Sequence, residues 1–228
     1  DSMQIYLALW SYGVQEIEYA CAVIEKLTLE GSKHQRMVCC YYLQEMHLNG
    51  VYVHQVAKAI VRRFYQEQDT MAAIMHSFMP KCTDYMDEVT DRRRQQKAGY
   101  PLKGLTRQYA VVEQYFKDRA ECEEFYGILQ EMLQAIPKKR IDFQPCIFPW
   151  NKEALRRSDV ICRLAICASA LQEEDKITAI AELLPQISTD YFERTSVMLL
   201  TLVPPYNEKQ REMLIGCMAD RTYVGTVA

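Results

Sequence analysis

The chain has 228 residues, 49% of them hydrophobic and 25% charged, with only 8 Gly and 8 Pro. A chain of this length can bury a core without metal or disulfide staples, and its low glycine argues against a protein of tight β-turns or glycine-built phosphate loops. The 27 Lys and Arg against 30 Asp and Glu leave a net charge of −3, which disfavours a dedicated nucleic-acid binder, because such proteins draw their affinity from a basic excess.

Helical spacing dominates from the start. Val14, Ile17, Cys21, Ile24 and Leu27 share one face of a helix over about 14–29. Gly31 and Ser32 then separate it from a second helix over about 33–48, with Ser32 as N-cap. Asn49-Gly50 lies between helical patterns and reads as a helix C-terminus. From Val53 the apolar positions Val56, Ala57, Ile60, Val61, Phe64 and Tyr65 follow helical spacing, with Gln55, Lys58, Arg62 and Arg63 assigned to the other face. Met71, Ile74, Met75, Phe78, Met79, Cys82, Tyr85, Met86 and Val89 continue the pattern, broken or kinked at Pro80.

Residues 91–104, DRRRQQKAGYPLKG, form a polar, basic loop. Further helices are expected at 105–118 and 121–136. A proline-rich connector, PKKRIDFQPCIFPWN, covers 137–151. The last helices are expected at 153–171, 175–184, 188–203 and 207–220, with Pro137, Pro185 and Pro204-Pro205 in the breaks. The fold expected is all-α: nine to eleven helices in antiparallel pairs, stacked as an irregular solenoid or as a helical bundle. It is read as a single domain over 1–228, with 91–104 and 137–151 as the places where sub-bundles would divide. The ends, at Asp1 and at TYVGTVA, suggest a segment of a longer polypeptide.

Three helices carry an arginine before an apolar stretch: Arg36-Met-Val-Cys, Arg163-Leu-Ala-Ile and Arg194-Thr-Ser-Val. On those residues SKHQRMVCCYYLQEMHLNG resembles the first helix of a HEAT-type repeat. The segments from Ser158 and Thr189 are similar in their helix–turn–helix layout. The likeness to HEAT/armadillo proteins covers about half the chain and implies stacked helix pairs with long binding surfaces. Helix starts near 14, 53, 105, 153 and 188 do not keep a single period, so solenoid and bundle both stay open.

Candidate chemistry is sparse. Nine cysteines, without a Cys-x-x-Cys pair, lie mostly in apolar helical stretches, as reduced core thiols of a cytoplasmic protein would. His34, His47, His54 and His76 lack zinc-helix spacing, so no metal site is expected. There is no Gly-x-Ser-x-Gly elbow, no Walker-type loop and no dinucleotide fingerprint, so no catalytic residue or cofactor is assigned. Carboxylates such as Asp84, Asp87 and Glu88, or Glu173, Glu174 and Asp175, read as solvated or first-turn charges. Fifteen tyrosines, among them Tyr41, Tyr42, Tyr85, Tyr109, Tyr115 and Tyr126, suit core boundaries or interfaces.

The candidate partner-binding residues are Arg92, Arg93, Arg94, Lys97, Tyr100, Lys103 and Arg107, a stretch of local charge +5 with Asp91 included. Lys138, Lys139 and Arg140 form a smaller basic run. The function expected is non-enzymatic: an interaction or scaffold module whose partner is another protein or another domain of the same chain. The alternatives are nucleic-acid backbone binding through 92–107 and a helical accessory domain of an enzyme. No run approaches the roughly 18 apolar residues of a membrane span, so no membrane partner is expected.

Overall fold

A computed structural model describes residues 16–46, 51–79, 115–136, 155–187, 191–203 and 205–219. Every regular element among them is helical, and none of these helices is long and apolar enough to cross a membrane. The backbone clusters into two units: Asp1–Pro80 with Ile141–Arg156, and Lys81–Arg140 with Arg157–Ala228.

The first unit holds α1 (Ile17–Glu30), α2 (Lys33–Met46), α3 (Val51–Phe64) and α4 (Gln68–Phe78). Helix α1 buries Ala20, Cys21, Ile24, Leu27 and Thr28. The Thr28 hydroxyl donates to the Ile24 carbonyl at 2.7 Å, so burying it costs no unsatisfied donor. At the helix end the Gly31 N–H bonds the Leu27 carbonyl, and a Cβ on Gly31 would lie 2.3 Å from that oxygen. Only glycine fits there. Ser32 and Gln35 then cap α2 reciprocally: the Ser32 N–H donates to the Gln35 side chain at 2.8 Å, and the Gln35 N–H donates to Ser32 Oγ at 3.3 Å. Besides the hairpin pairs α1–α2 and α3–α4, α2 packs beside α4 and α1 beside α3. Met79 ends α4 in an extended conformation, as the residue before a proline is forced to do. The expected continuation past Pro80 lies outside the described residues.

One expected polar position is corrected. Lys58 is 1% exposed, in the core with Ala57, Ile60 and Val61, rather than on the face of Gln55, Arg62 and Arg63. Helical geometry places it one turn from Val61 and beside Ala57, so the period outweighs the residue type.

The second unit holds α5 (Arg119–Ala135), α6 (Arg157–Leu171), α7 (Glu174–Leu183), a 3-10 turn (Leu184–Gln186), α8 (Tyr191–Thr201) and α9 (Glu208–Ala219). Asp118 is the N-cap of α5 and accepts from the Glu121 N–H at 2.8 Å. Residues 116–118 are therefore bends leading into a cap, where a helix over 105–118 was expected; Tyr115 is helical, and 105–114 lie outside the described residues. Helix α6 is buried at every position from 160 to 169 and at Leu171, with α5, α7 and α8 packed around it. It is apolar on all sides, which is the pattern of a helix without a solvent face. Arg163, inside it and fully buried, donates to the Asp159 carbonyl at 2.7 Å. Gln172 follows in the left-handed region at φ 51°, and its amide nitrogen donates to the Ser169 and Thr201 carbonyls, joining the ends of α6 and α8. Arg157 opens α6 with Nη1 2.6 Å from both the Leu133 and Ile136 carbonyls at the end of α5. Helix α9 packs on α8 and starts from a reciprocal Asn207–Gln210 cap.

Candidate functional site

Helix α2 turns Arg36, Cys39, Cys40 and Leu43 into the core of the first unit. On its opposite side His34 is exposed, and Met37, Val38, Tyr41 and Tyr42 are only half-buried. The outward sides of the neighbouring helices carry more charge. Helix α1 exposes Glu18, Lys26 and Glu30 together with Ala22 and Tyr19, the last 53% exposed, and α3 exposes Gln55, Arg62 and Arg63. A largely apolar, tyrosine-bearing helix side has the composition of a protein-docking surface.

The seat of α2 is set by Arg36, which is 8% exposed. Its Nε and Nη2 reach the two Glu67 carboxylate oxygens at 3.1 Å each, a fork-to-fork pair. Nη1 donates to the Gly31 carbonyl at 3.3 Å and the Thr28 carbonyl at 3.4 Å, and the guanidinium lies 3.9 Å from the Phe64 ring centre. Thr70 Oγ1 donates to Glu67 at 2.8 Å. Partial burial would raise the Glu67 carboxyl. The hydrogen bonds from Thr70 and Arg36, with the charges of Arg36 and Lys33, outweigh it and hold the group below its ordinary value. Lys33 also pairs with Asp69 at 3.0 Å. The turn between α3 and α4 is thus tied to the start of α2 and the end of α1.

The described thiols of this unit are turned inward. Burial pushes the Cys21 and Cys39 thiols up to about 11 and raises Cys40 further, which keeps all three protonated at neutral pH. In the second unit burial likewise raises Cys167, and Cys122 Sγ donates to the Cys167 carbonyl at 3.5 Å. Among the described residues no three His, Cys, Asp or Glu side chains converge as metal ligands would.

In the second unit the described apolar exposure is at α9, where Ile215 is 63% exposed. Glu173 stands at the N-cap of α7 and pairs with both Arg119 and Lys176. Glu174 and Asp175 lie in the first turn of α7, and Lys209 of α9 reaches Glu174 at 2.6 Å. These carboxylates bond neighbouring cations and do not oppose one another across a cleft.

Arg92, Arg93, Arg94, Lys97, Tyr100, Lys103, Arg107 and the run Lys138–Arg140 all lie outside the described residues. So do Tyr85 and Tyr109. Tyr115 is half-buried and Tyr126 buried; Tyr19 is exposed on α1, and Tyr41 and Tyr42 share the outward face of α2 with Met37 and Val38. That face was missed because MVCCYYL reads as an uninterrupted core run. Its signal was that Met37, Val38, Tyr41 and Tyr42 occupy the side opposite Cys39, Cys40 and Leu43.

A protein-family model matches residues 1–226, almost the whole chain. The chain belongs to DUF5724, a family of unknown function. No curated protein and no solved structure matches it. For this DUF5724 chain, function has to be argued from the faces and bonds described above.

Proposed function

We propose that the chain is a non-enzymatic protein-interaction module of the cytoplasm, a HEAT-like stack of helix pairs that docks a protein partner on the outward face of α2. The single observation carrying this reading is the half-buried stripe Met37, Val38, Tyr41 and Tyr42 on one side of α2. Tyrosine and methionine supply large amphipathic area at modest entropic cost, which is why they recur at interface centres. The Arg36–Glu67 bond supports the reading by fixing the helix that presents them. Nucleic-acid binding through 92–107 has no observation among the described residues in its favour.

The test is affinity capture with the full chain, comparing the native sequence with Val38→Arg and Met37→Glu. Circular dichroism and melting would first show that the variants fold. Loss of specific co-purifying proteins with both variants, retained by the exposed-site control Glu30→Gln, is the expected result. An unchanged set of captured proteins would remove the α2 face from consideration.

A further inference from the structure

The strings Gln66-Glu67-Gln68-Asp69 and Gln172-Glu173-Glu174-Asp175 stand at equivalent places in two hairpins. At the same offset Val51 matches Arg157, where α3 and α6 begin, and Gln68 matches Glu174, where α4 and α7 begin. Ala59-Ile60 matches Ala165-Ile166, and Ala73-Ile74 matches Ala179-Ile180. Of these, Ile60, Ile74, Ile166 and Ile180 are all buried. The turns differ by one residue in where the first helix stops, at Phe64 and at Leu171.

The chemistry at the turns also matches. Glu67 and Glu173 both occupy N-caps, where glutamate is a poor choice, and neither side chain caps its own helix. Each carboxylate instead takes an arginine from the first turn of another helix, Arg36 of α2 or Arg119 of α5. Each of those arginines also donates to a carbonyl at a helix end: Arg36 to Gly31 and Thr28, Arg119 to Leu171 at 3.1 Å. In both turns the residue three further on also donates to the carboxylate: Thr70 to the Glu67 Oε2 it shares with Arg36 Nε, and Lys176 to the Glu173 oxygen that Arg119 leaves. A cation also lies near a ring in each: Arg36 by Phe64, and Lys176 5.5 Å from Tyr126.

We infer that α3–α4 and α6–α7 are two copies of one repeat, and that its N-cap glutamate is a clamp residue that fastens the hairpin turn to the helix bearing the arginine. The inference stands whether or not α2 docks a partner. The two clamps differ in strength. Arg36 is 8% exposed, whereas the Arg119 side chain is 56% exposed and shares itself with Glu123 at 3.0 Å. A desolvated fork holds more than a solvated pair.

Two double-mutant cycles on the full chain test this, Arg36→Met with Glu67→Gln and Arg119→Met with Glu173→Gln. The readout is hydrogen exchange at the amides of α4 and α7. Glu67→Gln should raise local opening of α4 about tenfold, and Glu173→Gln should raise that of α7 about threefold. Effects should be non-additive within each pair and additive for Arg36→Met combined with Glu173→Gln. If Arg36→Met does not fold, Arg36→Lys replaces it, since lysine keeps the charge but cannot fork. Additivity within both pairs, or a Glu67→Gln effect no larger than that of Glu30→Gln, would overturn the clamp. Coupling in the first pair alone would overturn the equivalence of the two hairpins.

Discussion

Helices α3 and α6 correspond position by position, yet one lines the edge of its unit and the other fills the centre. In α3 the last turn carries Arg62 and Arg63, both exposed; the matching positions in α6 are Ala168 and Ser169, both buried. Gln55, exposed, corresponds to Ile161, fully buried. Helix α8 packs on α6, which has no exposed position from 160 to 169. The same hairpin and the same type of clamp therefore serve two roles, and a few outward positions decide which.

Moving the α3 residue into α6 is the harshest way to break that comparison. Ala168→Arg would force a guanidinium into a fully buried alanine site, and should destabilise the second unit by about 4 kcal/mol or more in urea unfolding. The reverse change, Arg62→Ala, should stay within about 0.5 kcal/mol for the first unit. Equal effects would show that outward polarity does not separate the two helices.

Glycines give a second contrast, between a close approach in the first unit and open space in the second. Gly31→Ala should cost about 1–3 kcal/mol, because its Cβ would collide with the Leu27 carbonyl. Gly127, inside α5, would place a Cβ with nothing within 4 Å, so Gly127→Ala should stabilise by about 0.5–1 kcal/mol through helix propensity. Thermal melts of the two variants should move in opposite directions.

Acid sharpens the difference between the clamps. Glu67 is held below its ordinary 4.5 in the folded chain despite partial burial, mainly by Thr70 and Arg36. A lowered folded value means that its contribution is fully present above 4.5 and is lost as pH falls through the lower folded value. Glu67→Gln should flatten the pH dependence of first-unit stability in that acid window, measured by denaturant unfolding at stepped pH. An unaltered slope would show that the pair adds nothing to acid resistance.

Most helix positions were legible because buried stripes recur at three and four residues, and the Ser32 cap and the Pro80 stop are local chemistry. Lys58 was misassigned since its charge suggested solvent while its place beside Ala57 and Val61 set it inward. The run 105–118 was misread at its end, where Asp118 caps instead of continuing a helix. The clamps were illegible for another reason. Glu67 and Arg36 are far apart in the chain, and a glutamate at an N-cap carries no signal until its partner is in view. The recurring Gln-Glu-x-Asp string was the readable part. The α2 face stayed hidden because apolar residues on both sides of a helix look alike before it is packed.

Arg157 ties the start of α6 to the Leu133 and Ile136 carbonyls. The chain therefore departs from the second unit and re-enters it at one knot, whatever runs from 137 to 154. Closure entropy grows only slowly with loop length. The α5–α6 seam thus has a fastening of its own, and a change in the length of chain between 137 and 154 should leave Arg157 on those two carbonyls.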